Sequence, residues 1–411
     1  MKILFVHKYL FPKGGAETYV LQLGAYLAEQ GHEVQYFGME HPQRCVGNRI
    51  GAYTREMEFH QQSALSKLSY FPGVIYSGEA RRKMAAVLED FQPDVVHLNN
   101  IHFQLTPSVL VAAENYRRKT GRKLRVVMTA HDYQLVCPNH MLYRPAQGTV
   151  CEKCLGGHYE SCAAGRCIHN SLPRSVIGTM EAQYWNRRGT YQALDAVICP
   201  SLFLKEKLDT NPVLAAKTVL LRNFSGPMAL QDVEKEDYVL YFGRYSEEKG
   251  LGILLEACRA LPEIPFVFAG SGPLEPELEG IPNVRNVGFQ SGEALTRLIQ
   301  CTRFSVYPSV WYENCPFSVI ESRQCGTPVL GADIGGIPEL IQNGETGRLF
   351  EAGNAAALTE AIRAMWAERE GLERWSRSCL AVQTTTLEEY CRRLLTIYAP
   401  ADDTGETEMV L

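Results

Sequence analysis

No run of about 20 apolar residues occurs in the 411-residue chain, so a membrane-spanning helix is not expected. An excess of one charge is missing too. Lys and Arg number 41 against 46 Asp and Glu, a net charge of −5, which argues against a polyanion-coating protein and leaves local basic patches open. No nucleic-acid-binding motif is present. The 34 glycines and 21 prolines have no period, which excludes a fibrous repeat. A G-x-G-x-x-G fingerprint does not follow the first expected strand, so the usual dinucleotide signature is absent. A D-x-D motif is absent as well. What remains is ordinary for a folded chain: 45% hydrophobic and 21% charged residues, enough apolar surface for two cores. The length predicts two or three domains. The N-terminus, MKILFVHKYLFPKGG, starts apolar, but His7, Lys8, Pro12 and a glycine pair interrupt it. It reads as a first buried strand rather than a secretory leader. A cytoplasmic location is therefore expected, with the 13 cysteines as reduced thiols or metal ligands.

Short Val- and Ile-rich runs alternate with helical patterns. Strands are expected at Ile3–Val6, Glu33–Phe37, Asp94–Leu98, Arg125–Thr129 and Ala196–Cys199. Helices are expected at Ala16–Glu29, Gly78–Asp90 and Gln104–Arg117. Continuous apolar strands suit a parallel sheet covered on both faces. The pattern restarts near Tyr238, with strands at Tyr238–Phe242, Pro265–Ala269, Asn283–Val287, Phe304–Pro308 and Pro328–Gly331. Helices follow at Gly250–Leu261, Ala294–Gln300, Pro316–Cys325 and Ala355–Arg369. The fold class is α/β, with two Rossmann-like doubly wound domains facing across a cleft. Residues 1–222 form the first domain and 223–385 the second. An amphipathic helix over 386–400 is expected to cross back to the first domain, and 401–411 to form a flexible tail.

Ligands of such domains bind at the carboxyl ends of the strands, so chemistry is sought in the loops there. The first is Lys13-Gly14-Gly15-Ala16-Glu17, where glycines allow close approach and a helix N-terminus offers free N–H groups. The same residues also suit a plain tight turn. The second runs from Gly243-Arg244 to Glu248-Lys249-Gly250. Its Arg can grip phosphate oxygens bidentately and its Lys adds a point charge, a combination suited to a diphosphate. A solvated charged turn is the alternative. The third is Trp311-Tyr312-Glu313-Asn314-Cys315-Pro316-Phe317-Ser318-Val319-Ile320-Glu321. Pro316 suits a first helical position, which leaves the N–H groups of Phe317 and Ser318 for a phosphate. Glu321 can accept hydrogen bonds from ribose hydroxyls, and Glu313 stands where a sugar would lie.

The Glu313-to-Glu321 spacing resembles the E-x7-E element of the family-4 retaining glycosyltransferases with the GT-B fold. Cys325-Gly326-Thr327-Pro328, Gly335-Gly336-Ile337-Pro338-Glu339, Gly270-Ser271-Gly272-Pro273-Leu274 and Gly14-Gly15-Ala16-Glu17 are similar to that family too. The resemblance covers nearly the whole chain. It implies transfer of a hexosyl or related sugar, with retention, from a nucleoside-diphosphate sugar to a glycan or lipid-linked acceptor, without a catalytic cofactor. It implies that Arg244 and Lys249 neutralise the leaving diphosphate and that Glu313 and His131 contact the sugar. Glu321 would hold the ribose. Gly15, Gly243, Gly272, Phe317 and Ser318 would surround the donor. The Asn314-Cys315-Pro316 stretch departs from the glycine-containing form usual in the family and is expected to reshape the sugar pocket.

Five of the 13 cysteines lie from Cys137 to Cys167, within an insert over 137–170. A C-x2-C pair followed by two more cysteines predicts a structural zinc site of Cys151, Cys154, Cys162 and Cys167, with Cys137 as a substitute for one. An iron–sulfur cluster, disulfides and free thiols are the competing readings. The insert directly follows His131 and is expected to shape the acceptor side of the cleft. The basic residues Arg117, Arg118, Lys119, Arg122, Lys123 and Arg125, extended by Tyr70, Phe71, Arg81, Arg82 and Lys83, suit either a solvated helix end or peripheral contact with an anionic membrane at its inner face. Two rival functions remain. One is a metal-stabilised interaction protein on an inactive transferase scaffold, against which the intact Arg244, Lys249, Glu313 and Glu321 count. The other is an NAD-dependent oxidoreductase or epimerase, against which the missing fingerprint counts.

Overall fold

The computed structural model describes residues 1–56, 73–226, 228 and 230–399. Tyr70, Phe71 and the 401–411 tail lie outside them.

Strands β1 (Lys2–Val6), β2 (Glu33–Phe37), β3 (Val95–Leu98), β4 (Arg125–Thr129), β7 (Ala196–Cys199) and β8 (Thr218–Leu220) form one parallel sheet in the order β2-β1-β3-β4-β7-β8. Between them, β5 (Tyr143–Arg144) and β6 (Thr149–Val150) make a small antiparallel hairpin inside the cysteine-rich insert. A second parallel sheet has the order β11-β10-β9-β12-β13-β14, from β9 (Val239–Arg244), β10 (Phe266–Ser271), β11 (Val284–Asn286), β12 (Phe304–Tyr307), β13 (Val329–Ala332) and β14 (Gly347–Phe350).

The central strands are apolar along their length because both faces are covered. In β1, Leu4 and Val6 join a core with Phe37, Leu98 and Val126, while Ile3 and Phe5 point the other way to Val95, Val127 and Ile198. In β9 the split repeats: Val239 and Tyr241 face one core, Leu240 and Phe242 the other. Successive side chains of a strand alternate faces, so one apolar run serves two cores. The first sheet reverses its direction of growth between β1 and β3, and the second between β9 and β12. Such reversals open a crevice at the strand ends.

The helix Leu387–Tyr398 does cross back. Tyr390, Cys391, Leu394 and Tyr398 pack with Tyr19 and Val20 of the first domain and with Phe224 just past its end. Buried hydroxyls stitch the junction. Tyr19 meets Tyr390 at 2.7 Å and Thr129 at 3.0 Å, and His97 holds Tyr398 at 2.6 Å and Thr129 at 2.7 Å. The expected single helix over 355–369 is two, Ala355–Ala367 and Arg369–Ala381, because Glu368 leaves helical geometry (φ −94°, ψ 74°).

Part of the basic cluster is used internally. Arg117 bonds the carbonyls of Leu124 (2.7 Å) and Ala193 (2.9 Å) and pairs with Asp195. Lys119 pairs with Glu89 at 2.7 Å, and Arg125 donates to the Ile397 carbonyl at 3.2 Å. Arg118 donates to Asn115 at 2.8 Å, and Lys83 pairs with Glu79 at 2.8 Å. The Arg117 and Arg125 contacts tie elements together, while Arg118, Lys119, Arg122 and Lys123 stay exposed. No helix among the described residues is long and apolar enough to cross a membrane.

Candidate active site

The reversal in the second sheet places the loops after β9 and β12 side by side. After β9 the chain makes a short 3-10 turn, Glu247–Lys249, and Gly250 follows at φ 73°. A Cβ on Gly250 would stand 1.8 Å from the Pro308 carbonyl oxygen, so the two loop backbones touch there and only glycine fits. This contact brings Lys249 to Glu313. Its Nζ donates to Glu313 Oε1 at 2.5 Å and to the Tyr307 hydroxyl at 3.3 Å, and lies 5.5 Å from the Trp311 ring. Burial alone would lower the Lys249 pKa, but the Glu313 carboxylate overrides it and holds the ammonium above its ordinary value. Lys249 is therefore a fixed cation.

Glu313 is itself buried, and Oε1 also accepts from Ser309 Oγ (2.8 Å) and Trp311 Nε1 (2.6 Å). Its Oε2 has no hydrogen bond among the described residues. Arg244, at the end of β9, is exposed, and its side chain has no partner among the described residues. Gly243 precedes it in the strand. Gly272, after β10, packs on the Tyr245 backbone, where a Cβ would meet the carbonyl oxygen at 2.4 Å.

The helix after β12 is Phe317–Gln324. Pro316 stands before it in an extended conformation (φ −66°, ψ 122°), one place earlier than expected. No side chain caps the first turn, and the N–H groups of Phe317 and Ser318 precede the first helical hydrogen bond, Val319 N to Pro316 O at 3.2 Å. Across the cleft, Gly15 lies against the Phe317 ring, which a Cβ would approach to 3.3 Å. Glu321, one and a half turns into the helix, has no side-chain partner among the described residues, and burial raises its pKa.

His131 Nε2 hydrogen-bonds Asn99 Oδ1 at 2.8 Å, and the His131 carbonyl accepts from Asn314 Nδ2 at 2.8 Å. Burial pushes its pKa down to about 4, so the imidazole is neutral near pH 7. Sequence reasoning missed two groups. His7 Nε2 meets Glu17 Oε1 at 2.8 Å beside the Gly14–Gly15 turn. The signal available was a histidine interrupting an apolar strand. Glu339 reaches from the second domain to the first: its carboxylate accepts from the N–H groups of Leu202 (2.9 Å) and Phe203 (2.8 Å) and pairs with Arg222 at 3.1 Å. It thus satisfies the free start of the helix Leu202–Asp209.

In the insert, the thiols of Cys137, Cys154, Cys162 and Cys167 act on one another: the Cys137 and Cys167 pKa values are lowered, by Cys154 and Cys162 respectively, while those of Cys154 and Cys162 are raised. Cys154 and Cys162 share a small core with Tyr159 and Ala182. Cys151 is not among the thiols that act on one another there. Among the described residues no group of three or more His, Cys, Asp or Glu side chains is placed to hold a metal ion, so the expected set Cys151, Cys154, Cys162 and Cys167 is not brought together. The turns of the insert return Cys137, not Cys151, to Cys154. The β5–β6 hairpin reaches the second domain and borders a cavity of about 570 Å³, lined by Tyr143, Val150, Glu247, Leu274, Val310 and Ile334.

Comparison with known proteins gives the same picture. Two solved structures share the fold over nearly full length. Sucrose-phosphate synthase from Thermosynechococcus elongatus has TM-score 0.68 and 18% identity, covering 97% of this chain and 98% of that one. Anabaena HepE, solved in complex with UDP and glucose, has TM-score 0.64 and 16% identity, covering 96% and 98%. Among curated relatives, the phosphatidyl-myo-inositol mannosyltransferase of Mycobacterium leprae is 24% identical over 377 residues, 89% of this chain and 87% of that protein. A sulfoquinovosyl transferase of Arabidopsis thaliana is 28% identical over 225 residues, 49% of this chain. The matches to that protein and to an uncharacterized glycosyltransferase of Methanocaldococcus jannaschii span about half the relatives' own lengths, 44% and 56%. Residues 228–379 match the model described as Glycosyl transferases group 1, and residues 13–224, more than half the chain, match the model described as Glycosyltransferase Family 4. The chain belongs to the glycosyltransferases of these two models, Family 4 in its first half and group 1 in its second, built on the GT-B fold.

Proposed function

We propose that the protein moves a sugar, with retention of configuration, from a nucleoside-diphosphate sugar to a glycan or lipid-linked acceptor. One observation carries this reading: Lys249, with its charge secured by Glu313, shares a loop with the unpartnered Arg244 beside an uncapped helix start. Breaking the bond from the anomeric carbon to the diphosphate leaves positive charge on the sugar and sends the electron pair to the phosphate oxygen. Fixed cations and free N–H groups stabilise that oxygen without reorganising. The acceptor hydroxyl attacks the same face, and its proton passes to the departing diphosphate. No enzyme carboxylate then needs to act as nucleophile. Side chains and backbone supply the stabilisation, so no cofactor enters the reaction.

Glu313 Oε2 is free to accept from a sugar hydroxyl, and Glu321 from ribose. His131, being neutral, can donate or accept at the sugar without adding charge. The binding of UDP and glucose by HepE supports a donor of this class. The hairpin of the insert at the cleft edge supports a role on the acceptor side.

The test is thermal shift against UDP, GDP, ADP, their sugars and NAD. A ligand that binds only the folded state, present at about 100 times its Kd, adds about 2.7 kcal/mol. Stabilisation by one nucleoside diphosphate is expected, followed by an NMR assignment of the product anomer. Stabilisation by NAD alone, or by no diphosphate, overturns the reading, and an inverted anomer overturns its retention.

A further inference from the structure

The loop that carries Glu313 is held from two sides. Within the second domain it packs on a glycine pair: a Cβ on Gly336 would stand 1.7 Å from the Asn314 carbonyl oxygen, and the Gly336 N–H donates to the Glu313 carbonyl at 2.6 Å. These contacts hold the main chain. The side chains of the two residues that flank Glu313 go the other way, into the first domain. Asn314 donates to the His131 carbonyl, and Tyr312 packs against the first domain's core. Glu313, between them, turns back to Lys249.

Tyr312 fills an aromatic slot. Its ring centroid lies 4.7 Å from that of Phe203, tilted by 54°, and 6.4 Å from that of Tyr133, nearly edge-on at 66°. Aromatic pairs favour such inclined arrangements. Lys207 closes the slot, with its Nζ 4.7 Å from the Phe203 ring and 5.7 Å from the Tyr312 ring. Lys207 is itself paired at 2.7 Å with Glu152 of the cysteine-rich insert. Burial and the Glu152 carboxylate together push the Tyr312 hydroxyl up to about 12, so it stays neutral where it is seated. The Phe203 wall is fixed in turn, because its N–H is held by Glu339.

We propose that Tyr312 is a positioning residue: seated against Phe203, Tyr133 and Lys207, it fixes the loop so that the Glu313 carboxylate faces Lys249. The cation of the donor site then depends on a contact made in the other domain. The inference rests on the assignment of Lys249 to the donor diphosphate. It adds that the glycine contacts alone do not set the direction of the Glu313 side chain, and that the anchored ring one residue earlier does.

The experiment measures the affinity of the full chain for UDP, GDP and ADP by calorimetry from pH 7 to pH 9. Tyr307 and Tyr241 also face the Lys249 ammonium, but burial raises both hydroxyls and keeps them neutral in that range. Glu313 is thus the charge that opposes the pull of burial on Lys249. Wild type should bind one nucleoside diphosphate with level affinity. In Tyr312→Ala the affinity should fall as pH rises, since a buried lysine without a facing carboxylate is pulled down by up to about 3–5 units. Tyr312→Phe keeps the ring and should restore the level profile. Phe203→Ala empties the slot from the first domain and should reproduce the fall, which tests the same contact should Tyr312→Ala not fold. The double variant should add nothing to either single one, because both act through one contact. A level profile in either alanine variant, a fall that Tyr312→Phe does not restore, or additive effects overturns the proposal. Lys249→Ala separates the two readings. Weaker binding in Lys249→Ala beside a level profile in Tyr312→Ala overturns the positioning role alone. Unchanged binding in Lys249→Ala, or no binding of any of the three nucleotides, overturns the donor assignment and this inference with it.

Discussion

Replacing Glu181 by Gln should change how the stability of the first domain depends on pH. Glu181 is 1% exposed, its Oε1 has no hydrogen-bond partner, and burial pushes its pKa up to about 8 from an ordinary 4.5. In the folded state the carboxyl is neutral at pH 7, whereas in the unfolded chain it is ionised. The unfolded state therefore holds fewer protons, and stability falls as pH rises. The loss starts near pH 4.5, grows by about 1.4 kcal/mol per unit and levels off near pH 8. Between pH 5 and pH 7 it amounts to about 2–3 kcal/mol, or roughly 5–10 °C for a domain of this size. The amide introduced by Glu181→Gln cannot ionise, so this slope disappears, whatever constant offset the buried amide adds. Trp185 is fully buried on the same helix and provides a fluorescence signal for the melt. Thermal melts of both proteins at pH 5, 6, 7 and 8 should diverge steadily, the variant gaining on the wild type as pH rises. Parallel curves would refute the burial argument.

Other expectations concern the cleft. Lys249→Ala or Arg244→Ala should lower turnover by about 10²-fold or more, as for loss of one preorganised donor. The exposed, unpartnered Arg244 should do so with no change in melting temperature, and unchanged kcat in either variant would defeat the diphosphate assignment. Glu313→Gln removes the charge that holds Lys249 protonated, so burial then pulls its pKa down. The rate profile should lose activity on its alkaline side at lower pH than the wild type, and coincident profiles would contradict this. Glu339→Ala removes the cap on Leu202 and Phe203 and the tie to Arg222. Small-angle scattering should register a larger radius of gyration, which an unaltered curve would disprove.

The alternation of strand and helix was legible because parallel strands buried on both faces are apolar at every position, as in Ile3–Val6 and Val239–Phe242. The edge strands Thr218–Leu220 and Gly347–Phe350 were not, because they are short and only partly covered and so lack that run. The helix Leu172–Arg187 escaped because its inner side is small and its large side chains face out. In the cleft, the loops after strands were visible in sequence, but the partnership of Lys249 with Glu313 was not. It joins residues 64 positions apart and arises from the backbone contact at Gly250. That Cys137 rather than Cys151 joins the other thiols likewise depends on how the insert turns, which spacing alone does not encode.

The helix Leu387–Tyr398 has a consequence for biosynthesis. The hydroxyl of Tyr19 and the ring of His97 acquire their Tyr390 and Tyr398 partners only from the last described helix. A ribosome making the chain at about 5–20 residues per second releases the first domain's strands well before that helix emerges. Until then Tyr19 and Phe224 lack their cover. The amino-terminal half would wait, part-formed, for the carboxyl-terminal end, and a nascent chain stalled before Leu387 should remain sensitive to protease across both halves.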